Sequence, residues 1–208
     1  MTQIFTVHPD NPQPRMMKQV VEILASGGLV AVPTDSGYAL VARLDDRDAA
    51  DALRKSRGLD QRHHLTLICR DLSEISHFAK VDNTQYRMLK HATPGPWTFI
   101  LPASREVPKR LSHPSRKTIG IRVPPHPVTQ ALLSEVGQAL VSTTLIVPGD
   151  DKPLASAEEI ESRMGHVVTA IVDCGDCAWE PTTVIDLSSS EPIVVRQGRG
   201  NLADIGLD

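Results

Sequence analysis

The sequence predicts an α/β protein, a single domain in which helices cover a sheet. Three observations carry that prediction. Short apolar runs alternate along the whole chain with segments of helical periodicity, the pattern of strands and helices packed in layers. Hydrophobic residues make up 40% and charged residues 23% of the 208 positions, which suits an ordinary globular protein and not a disordered one. No linker or shift in composition divides residues 1–208, so one domain is expected. With aromatics at only 3%, the core has to rest on Val, Ile, Leu and Ala.

The elements follow in order. Residues 4–7 read as a strand, ended by His8-Pro9-Asp10-Asn11-Pro12. A helix starts near Pro14, where proline suits the first turn. Met17, Val20, Val21 and Leu24 give it one apolar face, and Gly27-Gly28 stop it. Residues 29–32 form a short buried strand, Pro33-Thr34-Asp35-Ser36-Gly37 a polar turn, and residues 38–44 the next strand. Asp46 or Asp48 caps a helix that reaches Arg54 or just beyond. A strand over 65–69, a capping-box-like start at Asp71, a helix over 82–92 and a strand over 97–101 come next. Strands at 118–123 and 139–144 flank a helix that Pro125-His126-Pro127 opens and that runs through Ser134. Ser156-x-x-Glu159 begins the last helix, and strands at 167–173, 182–187 and 193–196 complete the set.

Several function classes are disfavoured. A formal net charge of −3 argues against a protein that coats nucleic acid, although a local basic patch remains compatible with it. Apolar runs fall well short of the roughly 20 residues of a membrane span. The first ten residues carry no secretory signal, and three cysteines do not make a disulfide scaffold, so the cytoplasm is the expected compartment. The chain contains no P-loop, no strand-linked G-x-G-x-x-G, no H-E-x-x-H and no G-x-S-x-G.

Four features could carry chemistry. Residues 54–64 hold Arg54, Lys55, Arg57, Arg62, His63 and His64 against a single acid, Asp60. Such a stretch can grip phosphate oxygens, or it can be a solvated helix end whose bases offset the helix dipole. The turn at Pro33-Thr34-Asp35-Ser36-Gly37 can present hydroxyls and N–H groups beyond a strand end, where ligands of open sheets sit, or be an ordinary turn. Arg122 lies inside an apolar strand and needs either an acidic partner or a ligand carboxylate. Alternation places it on one face with Thr118 and Gly120. Cys174-Gly175-Asp176-Cys177 has neither the second pair that zinc needs nor a thioredoxin-like setting, and reads as thiols in a turn.

Six blocks, in order, resemble the YrdC/YciO family of threonylcarbamoyl-AMP synthase relatives. They are Pro33-Thr34-Asp35-Ser36-Gly37-Tyr38, Lys55-Ser56-Arg57, residues 94–101, Ile121-Arg122-Val123-Pro124-Pro125-His126-Pro127, Thr182-Thr183-Val184-Ile185-Asp186-Leu187, and Arg196. The His8–Pro12 segment and Glu180-Pro181-Thr182-Thr183 look closest to the YciO branch. The resemblance implies a twisted, open mixed sheet flanked by helices, with a large basic concavity. It implies a nucleotidyltransferase that joins threonine, bicarbonate and ATP into threonylcarbamoyl-AMP for tRNA modification, with ATP and Mg²⁺ as cofactors. RNA (tRNA, double-stranded RNA or rRNA) is the implied macromolecular partner, and RNA docking without catalysis is the alternative.

By the same resemblance Lys55 and Arg57 would be catalytic and would hold ATP phosphates with Arg196, and His64 and Thr118 would line the nucleotide site. Thr34, Arg122, Thr144 and Thr182 would bind threonine. The chain departs from the family pattern in one block above all. The S-x-N motif falls at Thr144-Leu145-Ile146, so an apolar side chain stands where an amide would hydrogen-bond. Cys69 replaces a histidine often found after the K-x-R strand, and Ala155 replaces a hydroxyl residue.

Overall fold

Strands alternate their side chains between two faces, and here the two faces are covered unequally. The computed structural model describes residues 1–207. Ten strands among them form one sheet in the order β1 (Gln3–Thr6), β8 (Ala170–Asp173), β2 (Val30–Thr34), β3 (Gly37–Arg43), β7 (Leu140–Thr144), β4 (Thr66–Ile68), β6 (Thr118–Arg122), β5 (Trp97–Pro102), β9 (Thr183–Asp186) and β10 (Ile193–Arg196). The sheet is mixed. For example, β4 runs parallel to β6, while β3 and β4 both run antiparallel to β7. The helices are α1 (Pro14–Ala25), α2 (Arg47–Ser56), α3 (Leu72–Phe78), α4 (Asn83–Ala92), α5 (Pro127–Val136) and α6 (Ala157–Met164). No helix among the described residues is long and apolar enough to cross a membrane.

Local chemistry sets the helix ends. Asp46, Asp71 and Ser156 each accept the backbone N–H three residues on, and Asp82 with Gln85 completes a reciprocal capping box. Met17, Val20 and Leu24 are the buried stripe of α1, as their spacing predicts.

One face of the sheet is covered between its exposed edge strands β1 and β10. Leu53 of α2, Ile75 of α3, Leu89 of α4 and Ile160 of α6 pack there with Leu40, Leu67, Phe99 and Ile121. On the other face α1 and α5 cover Val172, Val30, Val41 and Leu140, and this second core ends at Ile68 on β4. Beyond it β6, β5 and β9 carry no helix. Because Ile119 and Ile121 enter the closed core, Gly120 and Arg122 point to the bare side. The uncovered half-face is the floor of a cavity.

Three expectations need correction. The strand expected to stop at Val32 runs to Thr34, so the turn shrinks to Asp35-Ser36. Proline removes a ladder donor, but β8 pairs with β2 only at Val30 and Ala31, so Pro33 lies beyond that ladder and is tolerated. The strand expected from Val167 starts at Ala170, because the Met164 carbonyl takes both the Val167 and Val168 N–H groups and prolongs the helix end. A short 3-10 helix, Leu202–Ile205, was not expected.

The basic stretch divides in two. Arg54 is buried on the inner side of α2, and its guanidinium donates to the carbonyls of Asp60 (3.0 Å), His63 (3.2 Å) and Arg110 (3.3 Å). It staples the 57–64 loop to the helix. Arg54→Ala should therefore cost about 2–3 kcal/mol of unfolding free energy, since three carbonyls lose a charged donor. Arg54→Lys should recover only part of that, because an ammonium cannot span the three acceptors. Urea unfolding checks this, and a loss below about 0.5 kcal/mol would return Arg54 to the solvated helix end.

Candidate functional site

A cavity of about 380 Å³ occupies the uncovered half-face. Its floor is Thr66, Ile68, Thr98, Ile100 and Gly120, with Ser142, Thr143, Thr144 and Ile146 beside them, and three more distant stretches of chain complete the walls. These are the β2–β3 hairpin, the 62–64 loop, and the segment from Trp179 to Thr182 with Arg196. Gly120 keeps the floor low, since a Cβ there would sit 2.8 Å from Thr66 Oγ1 and 3.1 Å from the Leu65 carbonyl.

The hairpin is locked from within. Thr34 Oγ1 donates to the Gly37 carbonyl at 2.6 Å and accepts the Ser36 N–H at 3.1 Å. Gly37 takes φ +102°, a conformation that side chains resist, and Trp179 packs against it. The turn therefore aims Asp35 and Ser36 at Arg122. Arg122 Nη2 donates to Asp35 Oδ1 at 2.5 Å, and Nη1 donates to Ser36 Oγ at 2.7 Å. The second Asp35 oxygen accepts Arg199 Nη2 at 2.7 Å. Two guanidiniums thus share one carboxylate, and Arg199 also reaches Glu180 Oε2 at 3.4 Å, so the cluster is balanced in charge. Burial lowers the Arg122 pKa, and Asp35 opposes that shift. Arg122 Nε is buried and has no hydrogen-bond partner among the described residues. An anion in the cavity would meet the Arg122 side chain.

Across the floor Thr182 Oγ1 and Thr98 Oγ1 lie 2.8 Å apart, and Arg196 donates through Nη2 (2.9 Å) and Nε (3.2 Å) to the Thr182 carbonyl. His64 Nε2 and Thr118 Oγ1 are 2.8 Å apart, with the His113 ring 5.1 Å from His64. Burial first, then His113 and Arg116, depress the His64 pKa from 6.5 to about 4, so the imidazole is neutral near pH 7.

Of the residues singled out in the sequence, Thr34, His64, Arg122, Thr144, Thr182 and Arg196 line this one cavity. Thr118 is buried behind His64. Lys55 and Arg57 lie elsewhere. Lys55 is exposed on the last turn of α2 and borders a separate groove with Val147 and Pro148. Arg57 follows that helix and donates to the Ile146 carbonyl at 2.5 Å, and burial lowers its pKa. The basic residue of the stretch that faces the cavity beside the two histidines is Arg62. Sequence reading missed Trp179 and Arg199. Arg199 follows a Gly in a segment with no strand or helix period, so nothing local marks it as the second partner of Asp35.

The Sua5/YciO/YrdC family profile, described as telomere recombination, matches residues 22–198. The chain belongs to this family. It is 46% identical to YciO of Escherichia coli over 202 residues, which is 97% of this chain and 98% of YciO. It is 32% identical to the threonylcarbamoyl-AMP synthase of Halorhodospira halophila over 165 residues, covering 79% and 85% of the two chains. The fold matches the crystal structure of E. coli YciO with a TM-score of 0.94 over 99% of this chain and 100% of that one. It matches P. abyssi Sua5 in complex with L-threonine with a TM-score of 0.89 at 25% identity, over 98% of this chain and 60% of Sua5. The open mixed sheet implied by the six sequence blocks is thus the family fold.

The depressed His64 pKa has a consequence for stability. An unfolded histidine titrates near 6.5 and the native one near 4, so the unfolded state gains the proton first. Native stability should fall as pH drops from about 6.5 to about 4 and take no further loss from this group below that. His64→Gln should flatten this slope. Urea midpoints at about pH 7 and about pH 5, wild type against variant, check it. An unchanged difference would remove His64 from the acid response.

Proposed function

We propose that the cavity binds threonine and the phosphates of ATP, and that the protein makes threonylcarbamoyl-AMP from threonine, bicarbonate and ATP with release of pyrophosphate and water. The observation that carries this reading is Arg122, a buried guanidinium on a hydroxyl-rich floor, held by Asp35 and Ser36. A guanidinium of this kind suits a carboxylate, and the Thr182–Thr98 pair suits a small hydroxyl side chain. The L-threonine complex of Sua5, on the same fold, supports the same substrate class. Arg62 and Arg196 would face the phosphates, and His64 offers a neutral ring nitrogen. Catalysis would consist of positioning and charge stabilisation. No carboxylate among the described residues lines the cavity, and both Asp35 oxygens are held by arginines, so the chain offers no protein ligand for Mg²⁺ there.

Ile146 lines the cavity where the family motif has asparagine. Its side chain cannot bond a nucleotide or an ordered water, so it should limit the rate. Pyrophosphate release with ATP, Mg²⁺, bicarbonate and threonine should depend on threonine, and Ile146→Asn should raise it at least about tenfold. Arg122→Lys should lower kcat/KM for threonine by about 10–100-fold through loss of the forked contact. No threonine-dependent pyrophosphate from either wild type or Ile146→Asn would overturn the reading.

A second reading, docking of double-stranded RNA, tRNA or rRNA, is favoured by exposed Arg62, Lys109 and Arg196. It is weakened by Arg54, Arg110 and Arg116, which bond within the protein. Under it, binding falls steeply with salt, and Arg62→Ala lowers the slope by about one. Binding that ignores salt would exclude it.

A further inference from the structure

The C-x-x-C segment is not a featureless turn. It follows β8 directly and wraps around Gly175, whose φ of +103° allows the tight bend. Gly175 N–H donates to Asp173 Oδ1 at 2.9 Å, and Tyr38 donates its hydroxyl to the Gly175 carbonyl at 3.2 Å. The bend brings the Cys174 and Cys177 side chains beside each other. Their environments differ. Cys174 is half-buried between exposed Gly175 and the strand, whereas Cys177 is buried.

His126 adds a third group. It caps α5, and its Nδ1 accepts the Val128 N–H at 3.3 Å. In the neutral ring the proton therefore sits on Nε2, and the ring lies beside Cys174. Contact with Cys177, then with His126, lowers the Cys174 pKa, while contact with Cys174 and burial raise that of Cys177. This is the division of labour of an attacking and a resolving thiol. Among the described residues no group of three or more His, Cys, Asp and Glu is placed to hold a metal ion.

The pair also touches the cavity wall. Cys177 lies beside Thr34, and its N–H donates to the Ala155 carbonyl at 2.9 Å. Two residues on, Trp179 packs against Gly37. The dithiol thus holds both the hairpin that aims Asp35 and Ser36 and the segment that leads to Thr182.

We propose that Cys174 and Cys177 form a redox-active dithiol that exchanges with low-molecular-weight disulfides through Cys174, and that its closure shifts the Thr34–Gly37 hairpin. The Cys174 thiolate attacks one sulfur of the disulfide, forms a mixed disulfide and expels one thiolate. Cys177 then attacks the Cys174 sulfur, closes the intramolecular disulfide and expels the second thiolate. The two protons lost by the protein thiols end on the two released thiols, so the protein is oxidised by two electrons and the small disulfide is reduced. The inference stands independently of the substrate assigned to the cavity.

The test uses the full chain equilibrated with mixtures of reduced and oxidised glutathione, then acid-quenched, denatured and alkylated. Under oxidising mixtures, two of the three cysteines should escape alkylation, and peptide mapping should join Cys174 to Cys177. Cys69, fully buried in the core, should still be alkylated after denaturation and serves as the internal control. Cys177→Ser should hold a glutathione adduct on Cys174, and Cys174→Ser should form neither product. In a Trp97→Phe background, closure should shift the emission of Trp179. Three alkylated cysteines at every ratio in the wild type would overturn the dithiol whether or not either variant folds. Closure without a Trp179 shift would overturn its link to the hairpin.

Discussion

Arg122 cannot sit where it does without Asp35. Its guanidinium is buried on a sheet face, and removing one partner of such a pair costs about 3–5 kcal/mol because the other charge is left uncompensated. That requirement organises the surroundings. Asp35 lies on the turn between β2 and β3, and Arg122 on β6, with β7 and β4 between them in the sheet. The ion pair reaches across the cavity floor and sets the distance between its walls. The Thr34 hydroxyl, bonded within the turn, keeps Asp35 and Ser36 pointing at the guanidinium. Arg199, beyond the last strand, binds the remaining Asp35 oxygen and fastens the C-terminal segment to the same point.

Unequal covering of the sheet supplies the space that the ion pair spans. Two helices on one face cannot shield ten strands, and the closed face holds four. Where β6, β5 and β9 lack a helix, the floor mixes Gly120 and isoleucines with threonines, whose hydroxyls tolerate both water and a polar ligand. A side chain at Gly120 would collide with Thr66, so the depth of the cavity depends on one missing Cβ. Thr182 and Arg196 reach this floor because β9 pairs with β5 on one edge and with β10 on the other.

Much of this was legible in the sequence where the cause is local. Helix starts at Asp71 and Ser156, the stripe of α1 and the shared face of Gly120 and Arg122 follow from side-chain chemistry and from periods of 3.6 and 2. The family resemblance marked six residues that the fold brings to one cavity. What the sequence did not show is non-local. The burial of Arg54 depends on which side of α2 meets the sheet, and its acceptors are three loop carbonyls that no pattern announces. Lys55, one position along, turns some 100° around the helix and lands in a different groove. The thiol pair read as a plain turn because His126 and Thr34, which give it character, are distant in sequence.

The altered S-x-N block shows how a site can change its chemistry and keep its shape. Ile146 has lost the amide, yet its backbone is held on both sides. Its carbonyl accepts Arg57 Nη1, and its N–H donates to the Thr144 carbonyl at 3.0 Å. Leu145, beside it, is buried and bonds through its own N–H to the Tyr38 carbonyl. With the main chain fixed at these points, the side chain at 146 is the free variable of the block. An arginine of the K-x-R motif that secures this carbonyl acts through the geometry of residue 146, at one remove from any bound phosphate. Arg57 therefore bears on the cavity through the scaffold, Lys55 borders a separate groove, and Arg62, Arg122 and Arg196 are the arginines that line the cavity.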